Sequence, residues 1–121
     1  MATYRGSCHC GGIRLEVTGE IEGLEVCNCS ICSRTGYVHW YVLPGQFRLL
    51  TSEDMIQTYR FGTMTSENHF CRKCGISPFR RARSDPEKID INVRCLEDVD
   101  VDALAVKRFD GRNWEEAMRS R

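Results

Sequence analysis

A chain of 121 residues with 17 basic and 17 acidic side chains has no formal net charge at neutral pH. This balance argues against a nucleic-acid-binding protein or a protein of anionic membrane surfaces, both of which need a basic field. No apolar stretch approaches the roughly 18 residues of a membrane-spanning helix. We therefore expect neither nucleic-acid nor membrane partners, and the length of the chain predicts one domain, residues 1–121.

The predicted elements are mainly short strands. Apolar and polar residues alternate in 13–17 and again in 89–95, which is the period of a strand with one buried face. The segment 37–45 is rich in aromatic and β-branched residues and closes with Pro-Gly, which predicts a strand that enters a turn. Three shorter strands are predicted within 57–63, 66–71 and 77–88.

Helix is scarce in the pattern. One turn is predicted near 100–105 and a short helix within 112–118, with Asn113 as its N-cap. Short strands separated by frequent turn signals predict an all-β fold of antiparallel sheets with little helix.

Eight cysteines are the unusual feature of the composition. Four disulfides would need an oxidising compartment, whereas the first residues, MATYRGSCHC, lack the apolar segment of a secretory signal. We therefore expect a cytoplasmic protein whose clustered thiols are metal ligands.

Four of the cysteines form two pairs, each followed by glycine: Cys8 and Cys10 in GSCHCGG, and Cys71 and Cys74 in HFCRKCGI. The second pair has the pattern of a zinc knuckle, in which glycine adopts a positive φ and backbone N–H groups point at sulfur. Because a knuckle supplies only two ligands, we expect the pairs to join in a closed, structural zinc site.

Three more cysteines, Cys27, Cys29 and Cys32, lie together in VCNCSICS. Three thiolates with one open corner are typical of a catalytic zinc, where water or a substrate atom takes the fourth position. The alternative is that Cys95 closes this site and makes it structural, although a lone strand cysteine is more often a small buried residue. The sequence thus predicts two zinc ions per chain.

The motifs GSCHCGGIRLEV, CNCSICSRTG, HFCRKCG, INVRCLED and FDGRNWE occur in this order. In them the chain resembles the glutathione-dependent formaldehyde-activating enzyme family, which includes centromere protein V-like proteins, over residues 4–116. The resemblance implies a tent-like arrangement of antiparallel sheets. It also implies that the two cysteine pairs bind the structural zinc and that Cys27, Cys29 and Cys32 bind the catalytic zinc.

By the same resemblance the protein is a carbon–sulfur lyase of the S-(hydroxymethyl)glutathione synthase type, with glutathione and formaldehyde as its small-molecule partners. An open zinc site could bind the substrate thiol as a thiolate that attacks the aldehyde carbon, or it could polarise the aldehyde oxygen. Three anionic ligands weaken the Lewis acidity of the metal and favour the first role. The rival hypotheses are a non-catalytic two-zinc module that binds a protein or peptide, and a redox-sensing thiol protein.

Few other side chains are candidates for the chemistry. His39 is predicted to be half-exposed in its strand. His69 could donate to a zinc-bound sulfur of the knuckle, although a role unrelated to the metal is the simpler interpretation. For His9 and Arg34 an exposed role is the simpler interpretation. The basic run Arg80, Arg81 and Arg83 could face glutathione, but a solvated strand edge is the simpler interpretation.

Overall fold

The computed structural model describes residues 2–121, which form ten strands and two short α-helices. The strands are β1 (Thr3–Ser7), β2 (Arg14–Thr18), β3 (Glu25–Cys27), β4 (His39–Val42), β5 (Phe47–Leu49), β6 (Ile56–Tyr59), β7 (Glu67–Cys71), β8 (Phe79–Arg81), β9 (Ile89–Asn92) and β10 (Lys107–Phe109). The helices are α1 (Cys32–Thr35) and α2 (Trp114–Arg119). Five single 3-10 turns lie at Pro44–Gln46, Glu53–Met55, Val93–Cys95, Val101–Ala103 and Gly111–Asn113.

Two sheets share the strands. The first has three antiparallel strands in the order β1-β2-β5, and the second has seven in the order β10-β3-β4-β9-β8-β7-β6. Every pair is antiparallel except β3 with β10, which run parallel. The prediction of an all-β fold with little helix is therefore confirmed.

One apolar core connects the two sheets. Leu15 and Val17 of β2 are fully buried in the same cluster as Trp40 of β4 and Ile91 of β9. The edge of the Tyr4 ring on β1 meets the Trp40 ring, with the centroids 6.0 Å apart. Burial of this alternating apolar face holds the small sheet against the large one.

Strand β9 departs from the predicted pattern. Its apolar residues Ile89 and Ile91 are buried as expected, but the intervening Asp90 and Asn92 are buried as well. The strand ends at Asn92, and the 3-10 turn Val93–Cys95 carries Cys95 out of the alternation. Strand β9, in the middle of the large sheet, is therefore covered on both faces and carries two buried polar side chains.

The C-terminal helix forms near its predicted position, but Asn113 does not cap it. The Asn113 side-chain amide donates to Asp110 Oδ2 at 2.9 Å, and no side-chain hydrogen bond caps the helix. Within residues 2–121 no helix is long and apolar enough to cross a membrane.

Candidate metal centres

Four cysteine sulfurs meet where the two sheets approach each other. Cys8 and Cys10 lie in the turn between β1 and β2, while Cys71 ends β7 and Cys74 follows it in the next turn. All four sulfurs lie within 4.8 Å of one another, with Cys8 and Cys10 at 3.7 Å and Cys10 and Cys71 at 3.5 Å. A tetrahedral zinc with bonds of about 2.3 Å sets its sulfurs about 3.8 Å apart. The cluster could therefore hold a zinc ion.

The turns that carry these pairs are built alike. Gly11 and Gly75 adopt φ of +81° and +80°, a conformation that favours glycine. Backbone N–H groups point at the sulfurs, from Ile13 to Cys8 at 3.2 Å and from Lys73 to Cys71 at 3.4 Å. These donors stabilise negative charge on sulfur, which a metal-bound thiolate carries.

Three of the four remaining cysteines form a second cluster at the junction of β3 and α1. Cys27 ends β3, Cys29 lies in the turn and Cys32 begins α1, and their sulfurs lie within 4.8 Å of one another. Cys27 and Cys29 are half-buried and Cys32 is buried. Among the described residues no fourth Cys, His, Asp or Glu atom joins all three within that distance. Three sulfurs with one free corner are the donor set of an open zinc site.

Cys95 belongs to neither cluster. Its sulfur lies 3.9 Å from the carbonyl oxygen of Ser77, and burial raises the pKa of its thiol to about 11. The alternative in which Cys95 closes the three-cysteine site therefore has no support in the geometry.

A segment after β10 holds the three-cysteine turn. The Asn28 amide donates to Asp110 Oδ1 at 2.8 Å, and Arg112 donates to Asn28 through its backbone N–H (3.0 Å) and its Nε (2.8 Å). Between them Gly111 lies so close that a Cβ atom there would stand 2.5 Å from Cys27 Sγ. Only glycine fits at this position without displacing the sulfur.

A cavity of about 370 Å³ opens onto the sulfurs of Cys27, Cys29 and Cys32. Its walls include three arginines and no aspartate or glutamate; the arginines are Arg80, Arg83 and Arg112. Four aromatic rings complete much of the wall: Tyr41, Phe61, Phe109 and Trp114. The wall of the cavity thus combines arginine side chains with apolar aromatic rings and contains no carboxylate.

Two side chains expected at the surface are buried instead. His39 is 1% exposed, so the prediction of a half-exposed strand histidine is wrong. Arg80 is 6% exposed, and it is not the solvated strand edge that the basic run suggested. Both touch Cys32: His39 Nε2 lies 3.4 Å from its sulfur and Arg80 Nη1 lies 3.8 Å away.

The candidates His69, Arg34 and His9 add no side-chain ligand to either cluster. His69 hydrogen-bonds to Thr58 at 2.8 Å rather than to a sulfur, and desolvation lowers its pKa. Exposed Arg34 donates to the carbonyl oxygen of Ser30 at 2.7 Å. His9 is exposed between two ligands and adds no ligand atom to their cluster.

Asp90 is the residue that sequence reasoning missed. It is fully buried and accepts from His39 Nδ1 at 2.6 Å, although its position in an alternating strand suggested a solvent-facing side chain. The pair His39–Asp90 joins residues 51 positions apart in the sequence, and no local sequence pattern predicts it.

Similarity to known proteins extends over most of the chain. Residues 3–109 match the family model described as glutathione-dependent formaldehyde-activating enzyme. Among solved structures, the crystal structure of a Rhodobacter sphaeroides protein is similar to this chain, with 34% sequence identity and a TM-score of 0.79. The similarity covers 86% of this chain and 98% of that one.

Proposed function

We propose that this chain, which belongs to the glutathione-dependent formaldehyde-activating enzyme family, is a zinc-dependent carbon–sulfur lyase. It joins glutathione reversibly to formaldehyde or another small aldehyde. The observation that carries the proposal is that a three-sulfur cluster, with no fourth ligand among the described residues, faces a cavity large enough for a substrate. A closed structural site needs no such cavity.

The residues of the cavity have separable tasks. A zinc ion held by Cys27, Cys29 and Cys32 would supply a Lewis-acidic centre with one position free for a substrate sulfur or oxygen. The Asn28 contacts keep the cysteine turn in place, and Gly111 leaves room beside Cys27. The aromatic rings line the walls of the cavity, and a substrate bound against them would displace water and strengthen the electrostatic interactions there.

The charge of the cavity favours an acidic thiol. Three arginines and no acidic residue line the cavity, and a guanidinium binds carboxylates through paired hydrogen bonds. Glutathione offers two carboxylates in addition to its thiol. Arg83 is well suited to meet one of them, because it lines the cavity and its guanidinium stacks 3.7 Å over the Trp114 ring.

Replacing Arg83 with glutamine is expected to raise KM for glutathione about tenfold, as loss of one charge-assisted hydrogen bond of about 1.5 kcal/mol predicts. We expect kcat to change less than about twofold, because Arg83 does not touch the sulfurs. Steady-state kinetics with glutathione and with the uncharged thiol 2-mercaptoethanol measure both. The matched control is Arg48→Gln, which removes an exposed charge from β5 outside the cavity. An equal rise in KM for both thiols would contradict a carboxylate contact.

The proposed function is tested most directly by cobalt substitution. We expect glutathione to shift the sulfur-to-cobalt charge-transfer bands in a saturable way, because a thiol takes the free position, and we expect turnover with formaldehyde to require the metal. The proposal would be overturned if glutathione left the spectrum of the cobalt-loaded protein unchanged and the protein did not turn over formaldehyde and glutathione. That result would favour the non-catalytic two-zinc module.

A further inference from the structure

A row of polar side chains lies buried against the sulfur of Cys32. The members are His39 (1% exposed), Asn68 (8%), Arg80 (6%) and Asp90 (0%). Asp90 Oδ2 accepts from His39 Nδ1 at 2.6 Å and from Arg80 Nη1 at 3.4 Å. Arg80 Nε donates to Asn68 Oδ1 at 2.9 Å. We call these four residues the buried polar row.

Strand register assembles the row. Asn68 on β7 pairs with Arg80 on β8, and Arg80 pairs with Asp90 on β9. On the next strand, β4, His39 pairs with Asn92, so it stands diagonally from Asp90. The row therefore crosses four neighbouring strands on one face of the sheet and reaches Cys32 at its end.

Burying such a row in a sheet interior is unfavourable for the stability of the fold. Burying a charged pair costs desolvation free energy that the mutual attraction repays only with good geometry, and apolar residues of similar size serve stability as well or better. The second carboxylate oxygen of Asp90 is buried without a hydrogen-bond partner among the described residues, which adds to the cost. Stability alone therefore gives no account of why the chain keeps the row.

Cys32 differs in its surroundings from five of the six other clustered cysteines, including both of its partners in the three-sulfur cluster. Cys8, Cys10, Cys27, Cys29 and Cys71 each have a backbone N–H directed at the sulfur. The sulfur of Cys32 instead meets two side chains, His39 Nε2 at 3.4 Å and Arg80 Nη1 at 3.8 Å. The three-sulfur cluster is thus built asymmetrically, with a side-chain network behind one ligand.

Two aromatic rings, a carboxylate and a sulfur contact the imidazole of His39. The rings of Tyr37 and Tyr41, two residues before and after His39 in the sequence, stack with the imidazole. Their centroids lie 5.2 and 5.9 Å from its centroid, with interplanar angles of 22° and 8°. Asp90 fixes Nδ1, so Nε2 is the nitrogen directed at the sulfur. Outer partners that fix a metal ligand in this way tune both its orientation and its donor strength.

We propose that His39, held by Asp90, is a positioning residue of the three-cysteine metal site: it fixes the Cys32 sulfur and, together with the Arg80 guanidinium, sets how strongly that sulfur binds the metal. The inference rests on the proposed function only in assuming that this cluster holds a metal. It concerns the affinity and electronic structure of the site, whereas the proposed function concerns turnover.

The test compares two substitutions of one residue. In His39→Phe we expect the zinc affinity of the three-cysteine site to fall about 10- to 100-fold, the usual effect of removing an outer partner. We expect the zinc affinity of the four-cysteine site to be unchanged. In the cobalt-loaded protein we expect a shift of the sulfur charge-transfer band. His39→Gln should recover part of both changes, because its side-chain amide is polar and can donate a hydrogen bond to the sulfur. Chelator competition and absorption spectra provide the readouts.

His69→Phe is the matched control, since it removes another partly buried strand histidine whose partner is Thr58. It should leave the three-cysteine site as in the wild type. Zinc retained at the four-cysteine cluster reports that each variant is folded. Should His39→Phe fail to fold, His39→Gln and Asp90→Asn replace it, and both must then weaken the same site.

The outcomes separate the two proposals. Unchanged zinc affinity and an unchanged cobalt spectrum in the folded His39 variants would overturn this inference, even if the wild-type enzyme turns over formaldehyde and glutathione. A wild-type protein that binds one metal ion only, at the four-cysteine cluster, would overturn both.

Discussion

Replacing Cys71 with alanine is expected to unfold the protein at ordinary temperature. Cys71 is fully buried at the end of β7, and its sulfur lies 3.5 Å from that of Cys10 in the turn between β1 and β2. A zinc ion in this cluster would connect the two sheets. Structural zinc contributes about 10–16 kcal/mol of binding free energy to folding, which equals or exceeds the whole stability of a typical domain, about 5–15 kcal/mol.

Thermal unfolding followed by circular dichroism in the presence of excess zinc measures this effect. A strong chelator added to the wild-type protein should produce the same loss of structure, because it removes the ion rather than the ligand. The matched control is Cys95→Ala, which removes a partly buried thiol outside both clusters. We expect this control to cost about 1 kcal/mol, the usual effect of a small core truncation.

If Cys71→Ala and Cys95→Ala lower the free energy of unfolding by the same small amount, the four-cysteine cluster does not hold a structural metal. The two thiols are similar in kind and differ in whether partner sulfurs surround them. An equal effect would therefore mean that Cys71 contributes only its own packing.

Strands with a clear alternating pattern could be predicted from the sequence, whereas others, including the five-residue β1, could not. β2 and β9 carry an alternating apolar pattern of four residues or more, which is enough to reveal a period of two. β3, β5 and β10 have three residues each and show no period. The parallel pairing of β10 with β3 joins segments 107–109 and 25–27, which lie far apart in the sequence, and only the tertiary fold brings such segments together.

The cysteine clusters were the most predictable part of the site. Spacings of one or two residues place two sulfurs on one turn, so the grouping of Cys8 with Cys10 and of Cys71 with Cys74 follows from local geometry. That these four and Cys27, Cys29 and Cys32 bind zinc, and that residues 1–121 form one cytoplasmic domain, remain predictions. The structure shows that the sulfurs of each cluster lie close enough to share an ion.

The buried polar row escaped prediction for a physical reason. Alternation in a strand separates polar from apolar positions but does not tell whether the polar face meets water. In this fold Cys32 of α1 contacts that face, so His39 and Arg80 lie beneath it. A polar residue at a central strand position therefore had two possible environments, and the pattern alone favoured the wrong one.

Replacing Cys29 with serine is expected to abolish turnover and to leave the fold intact. Cys29 is half-buried in the turn between β3 and α1, and its sulfur accepts a backbone N–H from Cys32 at 3.4 Å. Loss of one of three thiolates removes a direct metal ligand. We therefore expect kcat/KM to fall by more than the 10- to about 100-fold that changes to outer partners cost. Metal content should fall from two ions to one.

The fold should survive because the four-cysteine cluster still connects the sheets, so the midpoint of thermal unfolding is expected to drop by a few degrees only, about 1 kcal/mol. Kinetics with formaldehyde and glutathione, metal analysis and thermal unfolding are measured on the same sample. Cys29→Ser and Cys71→Ala then form a pair in which the same kind of ligand is lost from two clusters. If Cys29→Ser unfolds the protein as Cys71→Ala does, the three-cysteine site is structural, and the chain is a binding module rather than an enzyme.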